Sequence, residues 1–129
     1  MGKHLLALAS LLTVLVTAAH VFLGGPLVVP ELMASKDVSE TVAWLLYFCW
    51  HDGTVALLVA AVAFAYSAFK PGNRVVGVFA TALVLGIGAL GLGVSLFGNG
   101  ALFSTPAPYA FNLIGVVAVA GLLLDQRAG

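Results

Sequence analysis

His20, Trp50, His51, Asp52, Tyr109 and Asn112 are the side chains in this sequence whose types and positions could bind a ligand or carry a proton. His51 and Asp52 stand side by side in "YFCWHDGTV", residues 47 to 55, at the start of a long apolar run. An aspartate at the centre of a lipid-embedded helix costs about 2.5 to 3.5 kcal/mol, and less near the bilayer edge, so Asp52 is expected to be partnered, protonated or wet. Adjacent residues of a helix point about 100° apart, so His51 and Asp52 face different neighbours. The expected partner of Asp52 is His20 or Asn112 across a bundle. Each of these residues also has a plainer role. His51 reads equally as an interfacial aromatic beside Trp50, His20 as a core histidine near a helix end, and Asn112 as a hydrogen-bonding tie between helices. His4 reads as a solvated residue close to Met1.

Three classes of function could use such a set. A binding or accessory subunit would line an outer-leaflet crevice with Trp50, His51, Asp52, His20, Tyr109 and Asn112, suited to a lipid headgroup, a quinone or a partner helix. A proton-linked transporter would work through Asp52, because ionisable groups inside the membrane mark proton relays. A b-type haem protein would take His20 and His51 as axial ligands, although neighbouring helices at ~8 to 10 Å leave a porphyrin little room. Cys49 and Asp52 share a helix face, so with His20 they make a conceivable zinc or copper set, at no standard ligand spacing. No enzyme is expected. No serine or cysteine nucleophile has a base at a recognisable spacing, and Asp52 is the only acid placed inside the membrane. The small four-helix multidrug exporters carry an embedded glutamate in their first helix; here that helix has no acid, and the likeness stops at size.

The elements that must position these residues follow from composition. With 62% hydrophobic and 8% charged residues and a mean hydropathy of +1.15, the chain could not furnish a water-exposed surface; soluble domains carry about 25% charged residues. It is read as one integral membrane domain over residues 1–129, with membrane lipids as its surroundings and a homo-oligomer or a larger membrane complex as possible assemblies. A formal net charge of zero argues against a nucleic-acid partner. The lone Cys49 has no partner for an internal disulfide.

Four apolar stretches, each near the ~20 residues that cross the hydrocarbon, predict an all-α four-helix transmembrane bundle with helices at about 5–23, 38–69, 75–97 and 106–124. "GGPLVVPELMASKD", "KPGN" and "GNGALFSTPAP" read as the breaks between them, on their glycines and prolines. Asp37, three residues before Glu40, suggests a capping box ahead of the second helix. Lys3 and the small residues Thr17 to Ala19 imitate a signal peptide, but cleavage would leave an odd number of spans, so the first helix is expected to be retained.

Lys3, Lys70, Arg74 and Arg127 fall at one end of an up-and-down bundle, and only Lys36 at the other, so the positive-inside rule puts both termini in the cytoplasm of a bacterial inner membrane. Counting ~20 residues back from Lys70 reaches Trp50, which makes the second helix longer than the bilayer. Trp44, Tyr47 and Trp50 then form an aromatic belt, with His51, Asp52 and His20 just inside it and Ser95 and Asn112 in the same outer half.

Small residues at Ala82, Gly86, Ala89 and Gly93, at Gly88, Gly91 and Ser95, and at Ala56, Ala60, Ala63 and Ser67 form stripes that let helices approach closely, predicting a tight bundle. "TAAHVFLGG" closing the first helix, "YFCWHDGTVALL" opening the second, a glycine-rich third helix and "FSTPAPYAFNLIGVVAVAGLLL" resemble a family of small four-helix bacterial membrane proteins of unknown function, with a short human transmembrane relative. The resemblance rests on His20 after alanine, on Trp50 with His51, and on Thr105 with Pro106. It implies a fold and a membrane location without a reaction. Asp52 after His51 and the prolines of the first loop depart from the family's pattern.

Overall fold

The computed structural model describes residues 1–70 and 72–126, and among them all regular structure is helical. Helix α1 (Gly2–Ala19) runs through a π-helical turn (His20–Gly24) into α2 (Gly25–Ala34). Three further helices follow: α3 (Glu40–Phe69), α4 (Arg74–Phe97) and α5 (Ala107–Gln126), with a 3-10 turn (Ala101–Ser104) ahead of α5. Four helical stretches are long and apolar enough to cross a membrane: Gly2–Ala34, Glu40–Phe69, Arg74–Phe97 and Ala107–Asp125. Only 22 to 33% of each span's most apolar window is buried inside the protein. The remainder displays side chains such as Leu15, Val62, Phe79, Leu90 and Val116, a surface compatible with a multi-pass membrane protein.

The first helix corrects the sequence expectation. Gly24, Gly25 and Pro26 do not break it, and it continues for 33 residues, from Gly2 to Ala34. An α-helical Pro26 would clash with the carbonyl four residues back and leave it without a donor. The π turn just before it shifts the register, with the Gly25 N–H reaching back to the His20 carbonyl. The first connection shrinks to residues 35–39. The expected cap shifts as well: α3 begins at Glu40, so Ser39 is the capping residue, its hydroxyl accepting from the Val42 N–H at 3.4 Å. Asp37 instead donates its N–H to Ser35 Oγ. At the second connection Gly72 turns the chain with φ of +85°, a conformation glycine adopts without a Cβ penalty. Pro71 of that turn and Arg127 lie outside the described residues.

Packing is cyclic, with α1 against α3, α3 against α4, α4 against α5 and α5 back against α1. The core sits at the end that holds Lys3 and Lys70, built from Leu6 and Ala9 of α1, Phe64 and Ala68 of α3, Val84 of α4, and Ile114 and Leu122 of α5. There Gly2 lies so close to α5 that a Cβ would stand 2.6 Å from the Gly121 carbonyl oxygen. Hydroxyls inside the spans bond to carbonyls one turn back, Thr13 to Ala9, Thr17 to Thr13, Thr81 to Gly77 and Ser95 to Gly91, each at 2.7 Å. Ser10 reaches across to the Ala61 carbonyl at 2.8 Å, tying α1 to α3. Ser67 Oγ is buried without a hydrogen-bond partner among the described residues.

One of the two glycine stripes of α4 also differs from expectation. Gly88, Gly91 and Ser95 face inward, against Asn112 and Pro108 of α5 and into the bundle. Ala82, Gly86 and Ala89 face outward, and a Cβ on Gly86 or Gly93 would meet nothing within 4 Å. On α3 the stripe through Ala60 and Ser67 does face the bundle.

Continuing outward from the pairing of Ser67 with Gly77 puts Trp50 near the level of Val94, shortly before α4 ends. The first turns of α3 and all of α2 therefore stand beyond the α4–α5 pair, by ~10 Å at 1.5 Å per residue. The candidate site lies where this hairpin leaves the bundle.

Candidate functional site

The π turn and α3 meet through Trp50. Its indole stacks on the His20 imidazole, with centroids 4.0 Å apart and planes at 16°. From the side, Gly24 leaves the indole room: a Cβ there would come within 3.1 Å of Trp50 Cη2. His20 Nε2 lies 3.2 Å from the Trp50 carbonyl oxygen, which can only accept, so Nε2 carries the proton in this contact. The same carbonyl receives the Thr54 hydroxyl at 3.4 Å. Trp50 is thus locked from behind by a histidine shelf and a glycine notch, both supplied by the π turn.

Along α3 a second aromatic series runs outward. Tyr47 meets His51 edge-on, with centroids 4.5 Å apart, and Trp44 meets Tyr47 edge-on at 5.7 Å. Tyr47, Trp50 and His51 form one wall of a groove of about 280 Å³, and Val21, Gly25, Val29 and Pro30 form the other. The lining is mostly apolar, with three aromatic residues that can donate hydrogen bonds at one side.

Of the six expected site residues, the structure brings together His20, Trp50 and His51 and separates the other three. Asp52 is exposed and lies almost half a helical turn from Trp50. Among the described residues no hydrogen bond or ion pair joins it to His20 or Asn112, so the expected pairing gives way to the His20–Trp50 contact. Asn112 sits between α4 and α5, its side-chain amide donating to the Pro108 carbonyl at 2.6 Å beside Gly88. Tyr109, exposed at the start of α5, donates its hydroxyl to the Phe103 carbonyl at 3.3 Å. The polar residues at this end of the bundle therefore form two clusters, one on each helical hairpin, in place of a single crevice.

The metal readings meet the same geometry. Among the described residues no group of three or more His, Cys, Asp or Glu side chains is placed to hold a metal ion, so Cys49, Asp52 and His20 do not converge. For haem, the Nε2 that would serve as a ligand points at a backbone carbonyl. His4 is exposed beside Lys3, at the far end of the bundle.

Gly24, Val29 and Pro30 escaped the sequence reading because the glycine–proline signal assigned them to a loop, and Val21, placed in the first helix, was not singled out. Val21, Gly25 and Val29 recur every four residues, the spacing of one helix face, and that period was available in the sequence. Tyr47 was placed in the aromatic belt but not in the site. No family model, curated protein or solved structure matches this chain.

Proposed function

We propose that this is a small multi-pass protein of the bacterial inner membrane, a non-enzymatic binding or accessory subunit whose groove between α2 and α3 takes a lipid, a quinone or a partner helix in the outer leaflet. The observation that carries this reading is the groove itself. It is apolar, aromatic on one wall, and backed by a tryptophan already fixed in position by His20 and Gly24. Preformed apolar clefts with a few polar groups are the usual form of small-ligand sites. The charge distribution supports the orientation: Lys3, Lys70 and Arg74 lie at the core end, while Glu31, Asp37 and Glu40 lie at the groove end with one lysine, Lys36. The likeness to small four-helix bacterial membrane proteins agrees with this placement.

Native mass spectrometry of the gently extracted protein tests the reading. A bound lipid-soluble species or a stoichiometric protein partner, present in the wild type and lost on Val29→Phe, supports it. The same ligand-free species from both proteins would sink it. Asp52→Asn serves as the control. Its exposed position away from the groove leaves binding unchanged on this reading, whereas a proton-linked transporter would lose coupled flux.

A further inference from the structure

Among the described residues, no Lys, Arg, Asp or Glu lines the α2–α3 groove. An anionic headgroup entering it would meet no lysine or arginine and an ammonium no carboxylate, so a charged ligand would be desolvated with little compensation. What the groove does offer is hydrogen-bond donors: the Tyr47 hydroxyl, the Trp50 indole N–H and a His51 ring N–H, none with a hydrogen-bond partner among the described residues. Its volume of about 280 Å³ is at the lower limit of ligand pockets, which run from ~300 to 1,000 Å³. That is room for one substituted ring and not for a whole lipid. An aliphatic tail on that ring would leave the groove for the surrounding lipid, since the other faces of the same helix are apolar and exposed at Phe22, Leu23 and Leu27.

A flat, uncharged, apolar ring that carries acceptor oxygens and an aliphatic tail meets all of these conditions. We infer that the groove binds the head of a lipid-soluble quinone, its carbonyl oxygens accepting from the Tyr47–Trp50–His51 wall. This inference rests on the binding role proposed above and narrows it to one ligand class. His20 touches no ligand in this arrangement. It is a positioning residue, holding the indole plane from behind, so that the wall is set before the ring arrives.

The test uses the full chain in nanodiscs of phosphatidylethanolamine and phosphatidylglycerol, with a photoreactive azido-benzoquinone bearing a decyl chain as the probe. Saturable labelling within residues 21–30 or 47–51 is expected, displaced by unlabelled decyl-benzoquinone but not by decanol or added phosphatidylglycerol. Val29→Phe fills the groove and abolishes labelling. Val29 already carries a Cβ before Pro30 and is only part-buried, so the fold tolerates the change. Tyr47→Phe and His51→Phe each weaken competition about tenfold, the loss of one hydrogen bond. His20→Ala weakens it too, and His20→Phe, which keeps a flat ring behind Trp50, restores it. Unsaturable label scattered over lipid-facing residues such as Leu58 and Val62 overturns the inference. If phospholipid or decanol displaces the probe as well as the quinone does, the quinone assignment fails while groove binding stands. If labelling misses the groove and Val29→Phe retains every species that the wild type carries, both fail.

Discussion

The His20 imidazole lies parallel to the Trp50 indole at 4.0 Å while its Nε2 reaches the carbonyl of the same tryptophan at 3.2 Å. One side chain thereby fixes both the ring and the backbone of its partner, and it does so at the level where α1 and α3 leave the four-helix core. Stacked aromatic pairs contribute about 0.5 to 1.5 kcal/mol beyond burial, and a neutral hydrogen bond about as much. His20→Ala is therefore expected to lose about 1 to 3 kcal/mol of stability, and His20→Phe only the hydrogen-bond share, about 1 kcal/mol. Unfolding of the nanodisc-embedded protein, followed by tryptophan fluorescence, measures both. Equal losses for the two variants would mean that stacking contributes nothing.

Gly24 is the second half of the same lock. A Cβ there meets the indole at 3.1 and 3.3 Å, and larger branches must push Trp50 off the His20 ring. Gly24→Val is expected to cost about 1 to 3 kcal/mol by overpacking and to red-shift Trp50 emission in a Trp44→Phe background. Gly53, one turn farther along α3, is the contrast, because nothing lies within 4 Å of its Cβ position. Gly53→Ala should stabilise by about 0.5 to 1 kcal/mol through helix propensity alone. An unshifted spectrum for Gly24→Val would remove the notch from the site's construction.

Four spans, the lengths of the last three and the common level of His20 and Trp50 were legible in the sequence because they depend on apolar run length and on a fixed rise per residue. The continuation of α1 into α2 was not, because glycine and proline signal a break unless the hydrogen-bond register changes, and the π turn at His20–Gly24 changes it. The partner of Asp52 was not legible either. Depth alone put it near His20, but direction around α3 is set by which face packs on α1, and that face carries Tyr47, Trp50, Thr54 and Leu57. The two glycine stripes of α4 illustrate the same limit. Spacing made both eligible for packing, and only the bulk of Asn112 and Pro108 on α5 selected one of them.

That selection can be measured. At Gly88 a Cβ would stand 2.8 to 3.0 Å from the Asn112 amide, itself bonded to the Pro108 carbonyl. Gly88→Ala is expected to destabilise by about 1 to 3 kcal/mol through overpacking, whereas Gly86→Ala, on the outward face, gains up to about 1 kcal/mol of helix propensity. Combining Gly88→Ala with Asn112→Ala should cost less than the two single changes added together, because the second removes what the first collides with. Strict additivity in the double-mutant cycle would place the two residues out of contact.

Orientation yields to chemical labelling. Lys36 lies in the short α2–α3 connection and Lys70 ends α3 at the opposite end of the bundle, and both are exposed. In a Cys49→Ser background, Lys36→Cys is expected to react with a membrane-impermeant maleimide in intact cells whose outer membrane has been permeabilised. Lys70→Cys should react only after lysis. The positive-inside bias that predicts this rests on few charges, so each basic residue at the core end matters. Removing Lys3 and Arg74 together should raise the fraction of molecules labelled at Lys70→Cys from outside. Reversed labelling of the two parent variants would turn the bundle over, moving the groove to the cytoplasmic leaflet and any ligand it holds with it.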